Sequence, residues 1–296
     1  MEVLTMHNIR IITDSASDIP VELEKELNIK ILSFPITVGE AGYLERIDFT
    51  NKEFYKILET EEEIPSTAQI TQIQFEDVYK ELYDEGVTDI IHVSINSTGS
   101  NTYSSSLMAT ESFYNDYPNA RTKMNIYNID SHTYTAGYGF PVIEAAKKIQ
   151  KGISVQEIVD YLEDWFASVE VFFAPYTLKY VKKSGRVSAA AAFMGELIGL
   201  RPIISMIDGE SNISEKVRGD KKIVPSLVEQ VVQRIIPETP YSIIRGALDG
   251  YPDELAKELT KQLGYPPERI YYAGAAITIN SGPDLIGVCF KGIKRR

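Results

Sequence analysis

The segment Asp89-Ile-Ile-His-Val-Ser94, running into Ile95-Asn-Ser-Thr-Gly-Ser-Asn-Thr-Tyr103, sets an apolar run of strand length against a loop dense in hydroxyls and amides. A short apolar run of this kind reads as a buried strand. Loops at the carboxyl ends of parallel strands are where open α/β sheets bind ligands. The same juxtaposition recurs along the first half of the chain. Ile9–Thr13 leads into Asp14-Ser15-Ala16-Ser17-Asp18, Met124–Asp130 leads into Asp130-Ser131-His132-Thr133, and Ile29–Phe34 reads as a further strand. Helical signatures fall between them. Thr50-Asn-Lys-Glu53 is a capping box with Phe49 and Phe54 placed as its hydrophobic staple, and Ser154-Val-Gln-Glu157 repeats the device with Ile153 and Ile158. Phe75, Val78, Tyr79 and Leu82 mark one face of another helix, which Gly86 closes. Strands alternating with amphipathic helices predict an α/β architecture with largely parallel strands.

After Ser168 the pattern changes. Val171–Ala174 reads as a buried strand, Ser188–Leu200 as a helix, and Arg201–Ile207 with Ile213–Val217 as a hairpin turning at Asp208-Gly209. Helices near Pro225–Ile235 and Asp253–Leu263 bracket strands at Tyr241–Arg245, Ile270–Ile277 and Leu285–Phe290. A domain boundary is expected near Ala167, although no linker or repeat marks it.

The 296 residues suffice for one large domain or two ordinary ones, and 44% hydrophobic content with 24% charged is that of a globular protein able to bury a sizeable core. Net charge is −12, yet Lys179 to Lys222 holds nine Lys and Arg against five Asp and Glu, a local +4. Such asymmetry reserves a positive patch for an anionic ligand or partner. One short basic region is too little for a nucleic-acid face, so no nucleic acid is expected. No secretory segment follows the first Met and no run approaches a membrane span, so no integral membrane association is expected. A single cysteine, Cys289, cannot form an internal disulfide, which fits a cytoplasmic protein.

Conventional catalytic sets are hard to assemble. His7, His92 and His132 are the three histidines, and none has metal-ligand spacing with another His, Cys or Asp, so no metal is expected. His92 and Cys289 sit inside apolar strands and read as core. His132 beside Asp130 and Ser131 resembles a triad fragment only on paper, since adjacent residues rarely converge on one atom. Ser17 and Asp18 read as helix caps, whereas for Thr67 and Ser100 the residues alone leave capping and ligand binding both open.

In order and spacing, these motifs are similar to those of the DegV family, the bacterial fatty-acid-binding proteins that include the acyl-binding subunit of fatty-acid kinase. The matching residues are Asp14-Ser15-x-Ser17-Asp18; Pro65-Ser-Thr67-Ala68-Gln69; Ser100-Asn-Thr102-Tyr103; Asp130-Ser131; Lys182-Lys-Ser-Gly185-Arg186; Arg201-Pro202; Asp208-Gly209; and Lys216-Val-Arg218. The resemblance implies two α/β domains with a long-chain fatty acid in and near the cleft between them. Residues 9–167 would carry a Rossmann-like, mostly parallel sheet on the carboxylate side, and residues 168–296 a mixed sheet around the acyl tail. It implies a carboxylate held by Thr67 and Ser100, with Asn101 beside them. Arg186, Arg218 and Asn280 would face a phosphate or a partner. The run containing Ala191, Phe193, Met194, Leu197 and Ile198 can line the tail pocket or simply be a packed core helix.

Implied too is a non-catalytic carrier without a cofactor, with a separate fatty-acid kinase as the partner to which it presents its ligand. The chain departs from the family pattern at Ala68 (usually Ser), Ile70 (Pro), Asn101 (Gly), Asn280 (His) and Asp284 (Gly). Binding of a fatty acid is untouched by these changes, whereas Asn280 and Asp284 fall in the phosphoryl-transfer region of kinase-coupled members. The competing expectation is an enzyme acting on a small anionic substrate through the Asp14/Ser15 or the Asp130/His132 loop.

Overall fold

The β-branched runs of the first half become strands and the capped amphipathic runs become helices in the computed structural model, which describes residues 8–187 and 199–295. Along the chain these are β1 (Ile9–Asp14), α1 (Val21–Glu26), β2 (Lys30–Leu32), β3 (Pro35–Val38), β4 (Ala41–Leu44), α2 (Asn51–Thr60), β5 (Ser66–Thr67), α3 (Gln72–Asp84), β6 (Asp89–Ser94), α4 (Thr102–Asp116), β7 (Asn125–Asp130), α5 (Ala136–Gln150) and α6 (Val155–Phe166). Strands β2-β1-β6-β7 form a wholly parallel sheet in that order, with Ile11 opposite Ile91 and Ile90 opposite Ile126. A small antiparallel sheet, β4-β3-β5, sits beside it. Both capping boxes form as expected, and Phe49 stacks on Phe54 at 4.8 Å to pin the entry of α2.

The second half holds β8 (Val169–Pro175), α7 (Lys179–Ser184), β9 (Leu200–Ile207), β10 (Glu210–Arg218), α8 (Ile223–Arg234), β11 (Tyr241–Arg245), α9 (Tyr251–Leu263), β12 (Arg269–Tyr272), α10 (Ala275–Ser281) and β13 (Leu285–Lys291). Its six-stranded mixed sheet has the order β10-β9-β8-β13-β11-β12, parallel only between β11 and β12. Strand period 2 divides each central strand between two cores. Phe172, Ala174, Ile203, Ile243 and Val288 pack under α8 and α9, against Leu227, Val231, Leu255 and Leu259. Val171, Phe173, Ile204, Met206, Ile244 and Leu285 point the other way and join the core of the first half. The β9–β10 hairpin turns at Asp208 and Gly209, both at positive φ (52° and 80°), as the Asp-Gly pair predicts.

Two expectations are corrected. The strand expected over Ile270–Ile277 ends at Tyr272, and Ala275–Ser281 is a helix. Apolar runs this short do not separate the two states. The deciding contacts come from far along the chain: Asp18 and Glu45 accept hydrogen bonds from the N–H groups of Gly274 and Ala276 at the helix start. The helix expected over Ser188–Leu200 lies outside the described residues except at its end, where Leu200 opens β9. No described helix is long and apolar enough to cross a membrane.

Candidate functional site

Between the carboxyl ends of the parallel strands and the inward face of the mixed sheet lies a cavity of about 630 Å³. Its two sides differ in chemistry. From the first half come Thr67 and Gln69 at the end of β5, the loop Ser97 to Asn101 after β6, and Tyr134 and Thr135 before α5. From the second half come Val171 and Phe173 of β8, Met206 of β9, Ile244 of β11 and Leu285 of β13, with Ala276, Ile277, Asn280 and Ser281 of α10. The first side is thus rich in hydroxyls and amides, with Phe34, Ala68 and Ile95 among them, and the second is mostly apolar, with Arg186, Asn280 and Ser281 as its polar members.

Polar side chains on the first wall are held by a connected network. Ser100 and Thr102 hydroxyls are 2.9 Å apart, the Thr102 N–H donates to Ser100 Oγ, and Ile70 N–H donates to Thr102 Oγ1. Gln69 Nε2 donates to Ser105 Oγ at 3.2 Å. Asn96 Nδ2 lies within hydrogen-bond distance of Thr98 Oγ1, Tyr134 OH and the carbonyl of Gly209, and Thr98 Oγ1 donates to that carbonyl as well. The hairpin turn is thereby fastened to the loop. Gly99 has no room for a side chain, since a Cβ would fall 2.3 Å from the Tyr134 hydroxyl. Burial pushes the Tyr134 phenol above its ordinary pKa, so it stays a neutral donor at physiological pH.

Of the expected site residues, the structure brings Thr67, Ser100, Asn101, Arg186 and Asn280 to this one cavity. Asn280 Nδ2 donates back to Ala276 O at 2.8 Å, and the Arg186 guanidinium donates to Ser184 O. Arg218 is not brought there. It is exposed at the far end of β10, roughly 25 Å along the strand from the turn that Asn96 holds. Ala191, Phe193, Met194, Leu197 and Ile198 lie outside the described residues. Tyr134, Thr135, Met206 and Ile244 were not singled out from the sequence. Tyr134 and Thr135 directly follow the Asp130–Thr133 loop, whereas Met206 and Ile244 carry no local signal beyond strand alternation.

The other polar candidates have structural employment. His92 is buried against Phe75 with Nδ1 3.0 Å from Asn128 Oδ1, and burial pulls its pKa down to about 4. Burial pushes the Cys289 thiol up to about 12, in keeping with a core residue. His132 Nδ1 lies 3.5 Å from Asp130 Oδ2, but Ser131 Oγ donates to the Thr133 carbonyl rather than to His132, and Asp130 and His132 border a separate cleft beside Asp160, Glu163 and Asp164. No triad forms. The capping expected of Ser17 and Asp18 is also corrected. Asp18, at φ 55°, reaches the distant start of α10, and Ser17 Oγ is buried without a hydrogen-bond partner among the described residues. Asp14, not Asp18, caps the short 3-10 turn of residues 15–17 by accepting from Ala16 N–H.

Comparison with known proteins places this architecture. The model of the family described as "Uncharacterised protein, DegV family" matches residues 8–292. The chain belongs to the DegV family. A DegV domain-containing protein of Clostridium perfringens is 31% identical over 95% of this chain and 97% of its own length, and one of Clostridium acetobutylicum is 31% identical over 96% and 98%. Among solved structures, DegV of Bacillus subtilis, a fatty acid binding protein, is 25% identical and superposes with a TM-score of 0.81 over 97% of this chain and all of its own. A stearic acid-binding protein of Eubacterium ventriosum, 22% identical, shares the fold at a TM-score of 0.85 over 96% and 97% of the two chains. The DegV fold therefore accounts for the pairing of a parallel and a mixed sheet across one cavity.

Proposed function

We propose that this DegV protein binds one long-chain fatty acid in the cavity, with the carboxylate against Thr67, Ser100 and Asn101 and the tail along Val171, Phe173, Met206, Ile244 and Leu285. In this reading residues 9–167 supply the head-group side and residues 168–296 the tail side. The observation that carries it is the division of the cavity into one hydroxyl-rich wall and one mostly apolar wall. A carboxylate taken out of water needs several donors, or its desolvation cancels the gain from the tail. Burying methylenes is favourable by about 0.8 kcal/mol each, so a sixteen-carbon tail offers on the order of 10 kcal/mol before ordering costs. The tail supplies the affinity and the hydroxyls set the direction of entry. The fatty acid binding of the Bacillus subtilis neighbour supports the same reading. Calorimetric titration with palmitate tests it: saturable binding near one equivalent is expected, and no heat beyond dilution would retire the proposal.

The ligand is carried rather than transformed, and a separate ATP-dependent kinase is the proposed recipient. Arg186, at the cavity and able to grip a phosphate with two parallel N–H bonds, is the residue suited to the acyl-phosphate stage. Asn280 donates a hydrogen bond but cannot carry a proton or a positive charge, unlike the family histidine. Wild type is therefore expected to load fatty acid yet turn over slowly with a fatty-acid kinase of the same organism. Asn280→His with Asp284→Gly should raise that turnover, and Arg186→Ala should lower it while loading changes only a few-fold. Turnover equal to that of a carrier bearing the histidine, indifferent to these substitutions, would remove Asn280 from the account.

A further inference from the structure

Three carboxylates that the proposed head-group chemistry does not use, Asp14, Asp18 and Glu45, are buried, Asp14 within electrostatic reach of Glu45 and the other two at the first turn of α10. Asp18 Oδ1 accepts from Gly274 N–H at 2.8 Å and Glu45 Oε1 from Ala276 N–H at 2.9 Å, while Ser15 Oγ donates to Glu45 Oε2 at 2.5 Å. A side chain on Gly274 would start 2.5 Å from Glu45 Oε1 and 2.9 Å from Asp18 Oδ1. The two carboxylates converge there, inside the ~4–6 Å range in which like charges oppose each other's ionisation. Asp18 Oδ2 is buried with no hydrogen-bond partner among the described residues.

The surroundings offset this in part: the Thr135 side chain and the Arg46 charge favour ionised Asp18, and the Ser15 hydroxyl, the N–H groups of Ala275 and Ala276 and the Arg46 charge favour ionised Glu45, but burial outweighs them. Tyr138 of α5 donates to Asp14, Tyr55 of α2 donates to Ala273 O, and Arg245 of β11 and Tyr272 of β12 stand behind Tyr55. Arg46 bonds Glu24 at 2.6 Å and the Ile19 carbonyl, and α10 itself brings only backbone N–H groups and neutral side chains. Burial first, then the Glu45 charge, raises the Asp18 pKa well above its ordinary value, and burial raises that of Glu45. The same helix forms cavity wall through Ala276, Ile277 and Asn280. A second tie runs through Thr135, which lines the cavity at a strained φ of 49° and donates its N–H to Ala16 O within the acidic loop.

We propose that Asp18 and Glu45 are positioning residues for the cavity: they hold the start of α10 in its binding-competent place while at least one of them is protonated, and ionisation of both, although it strengthens each N–H bond, sets two buried like charges against each other, drives the pair toward water, frees the helix start and loosens the grip on the ligand. This rests on the cavity being the fatty-acid site. Because the proton favours the docked helix, binding is tight below neutrality and weakens as pH rises.

The experiment compares wild type with Asp18→Asn, Glu45→Gln and the double variant, whose neutral isosteres still accept from Gly274 and Ala276. Palmitate Kd is measured at pH 6 and pH 9, and amide exchange at Gly274 and Ala276 is followed without ligand over the same range. The ratio of Kd at pH 9 to that at pH 6 should be at least about five-fold larger in wild type than in the double variant, since a change of one pKa unit corresponds to ten-fold. Wild-type exchange should rise beyond its intrinsic base catalysis, and that of the variant should not. A role in folding alone would shift affinity equally at both pH values. Glu45→Gln alone, the mildest change, should show the same trend in part. Equal ratios and equal exchange in wild type and variants would overturn the proposal. Absence of palmitate binding at either pH would instead remove the fatty-acid reading, and the exchange data would still judge the tie between the pair and α10.

Discussion

Replacing Asp14 by Ala is expected to lower folding stability by roughly 4 kcal/mol, because it strands three buried donors at once. The carboxyl accepts from Tyr138 OH at 2.5 Å, from Ile95 N–H at 2.8 Å and from Ala16 N–H at 3.2 Å, with no exposed surface. Each donor left unpaired costs about 1–3 kcal/mol, less what entering water recovers. For a domain holding about 5–15 kcal/mol in all, such a loss is a large share. Asp14→Asn keeps one acceptor and should lose less than half as much. The pH dependence follows with a definite sign. Burial pushes the Asp14 pKa from 3.8 up to about 7, although all three hydrogen bonds favour the charged form. A folded state that binds its proton more tightly than the unfolded chain is most favoured when the proton is on, so this contribution is lost as pH rises from about 4 to 7. Denaturant melts across that range should show a decline in wild type that Asp14→Asn lacks. Parallel profiles for the two proteins, or an Asp14→Ala protein as stable as wild type, would show that the carboxyl is not held as described.

The second large effect is on binding. Thr67→Ala with Ser100→Ala should weaken palmitate binding by roughly 2–4 kcal/mol, since each donor lost from a buried charge is worth about 1.5–3 kcal/mol and some water will re-enter. Ser100 also bonds Thr102, which keeps its own bond from Ile70 N–H, so the loop retains an anchor in the variant. The fold should survive. Titration calorimetry and thermal melts read the two consequences separately. A double variant that melts normally and binds as tightly as wild type would place the carboxylate elsewhere in the cavity.

How much of this was legible beforehand depends on where each signal is encoded. Capping boxes at Thr50 and Ser154, the Asp208-Gly209 turn and the strands Asp89–Ser94 and Tyr241–Arg245 are local, and the structure reproduces them. The start of α10 is not local: it depends on Asp18 and Glu45, more than two hundred residues earlier. The inner face of α4 is Thr102, Ser105, Ser106, Ala109 and Phe113, where Thr102 and Ser105 accept from Ile70 N–H and Gln69 Nε2 of the β5–α3 loop instead of marking an apolar stripe. Hydrophobic periodicity cannot find such a helix. Head-group candidates were readable because they sit in polar loops at strand ends. Tail-wall residues such as Met206 and Ile244 look like any core residue until the sheet shows which face they take.

Mass analysis of lipid released by denaturing extraction from the purified protein reads the occupant of the cavity without any assumption about which side chains hold it. About one equivalent of a long-chain fatty acid per chain is expected, given one cavity with a single hydroxyl-rich wall. Protein that emerges free of lipid, and that takes up no added fatty acid, would contradict the account.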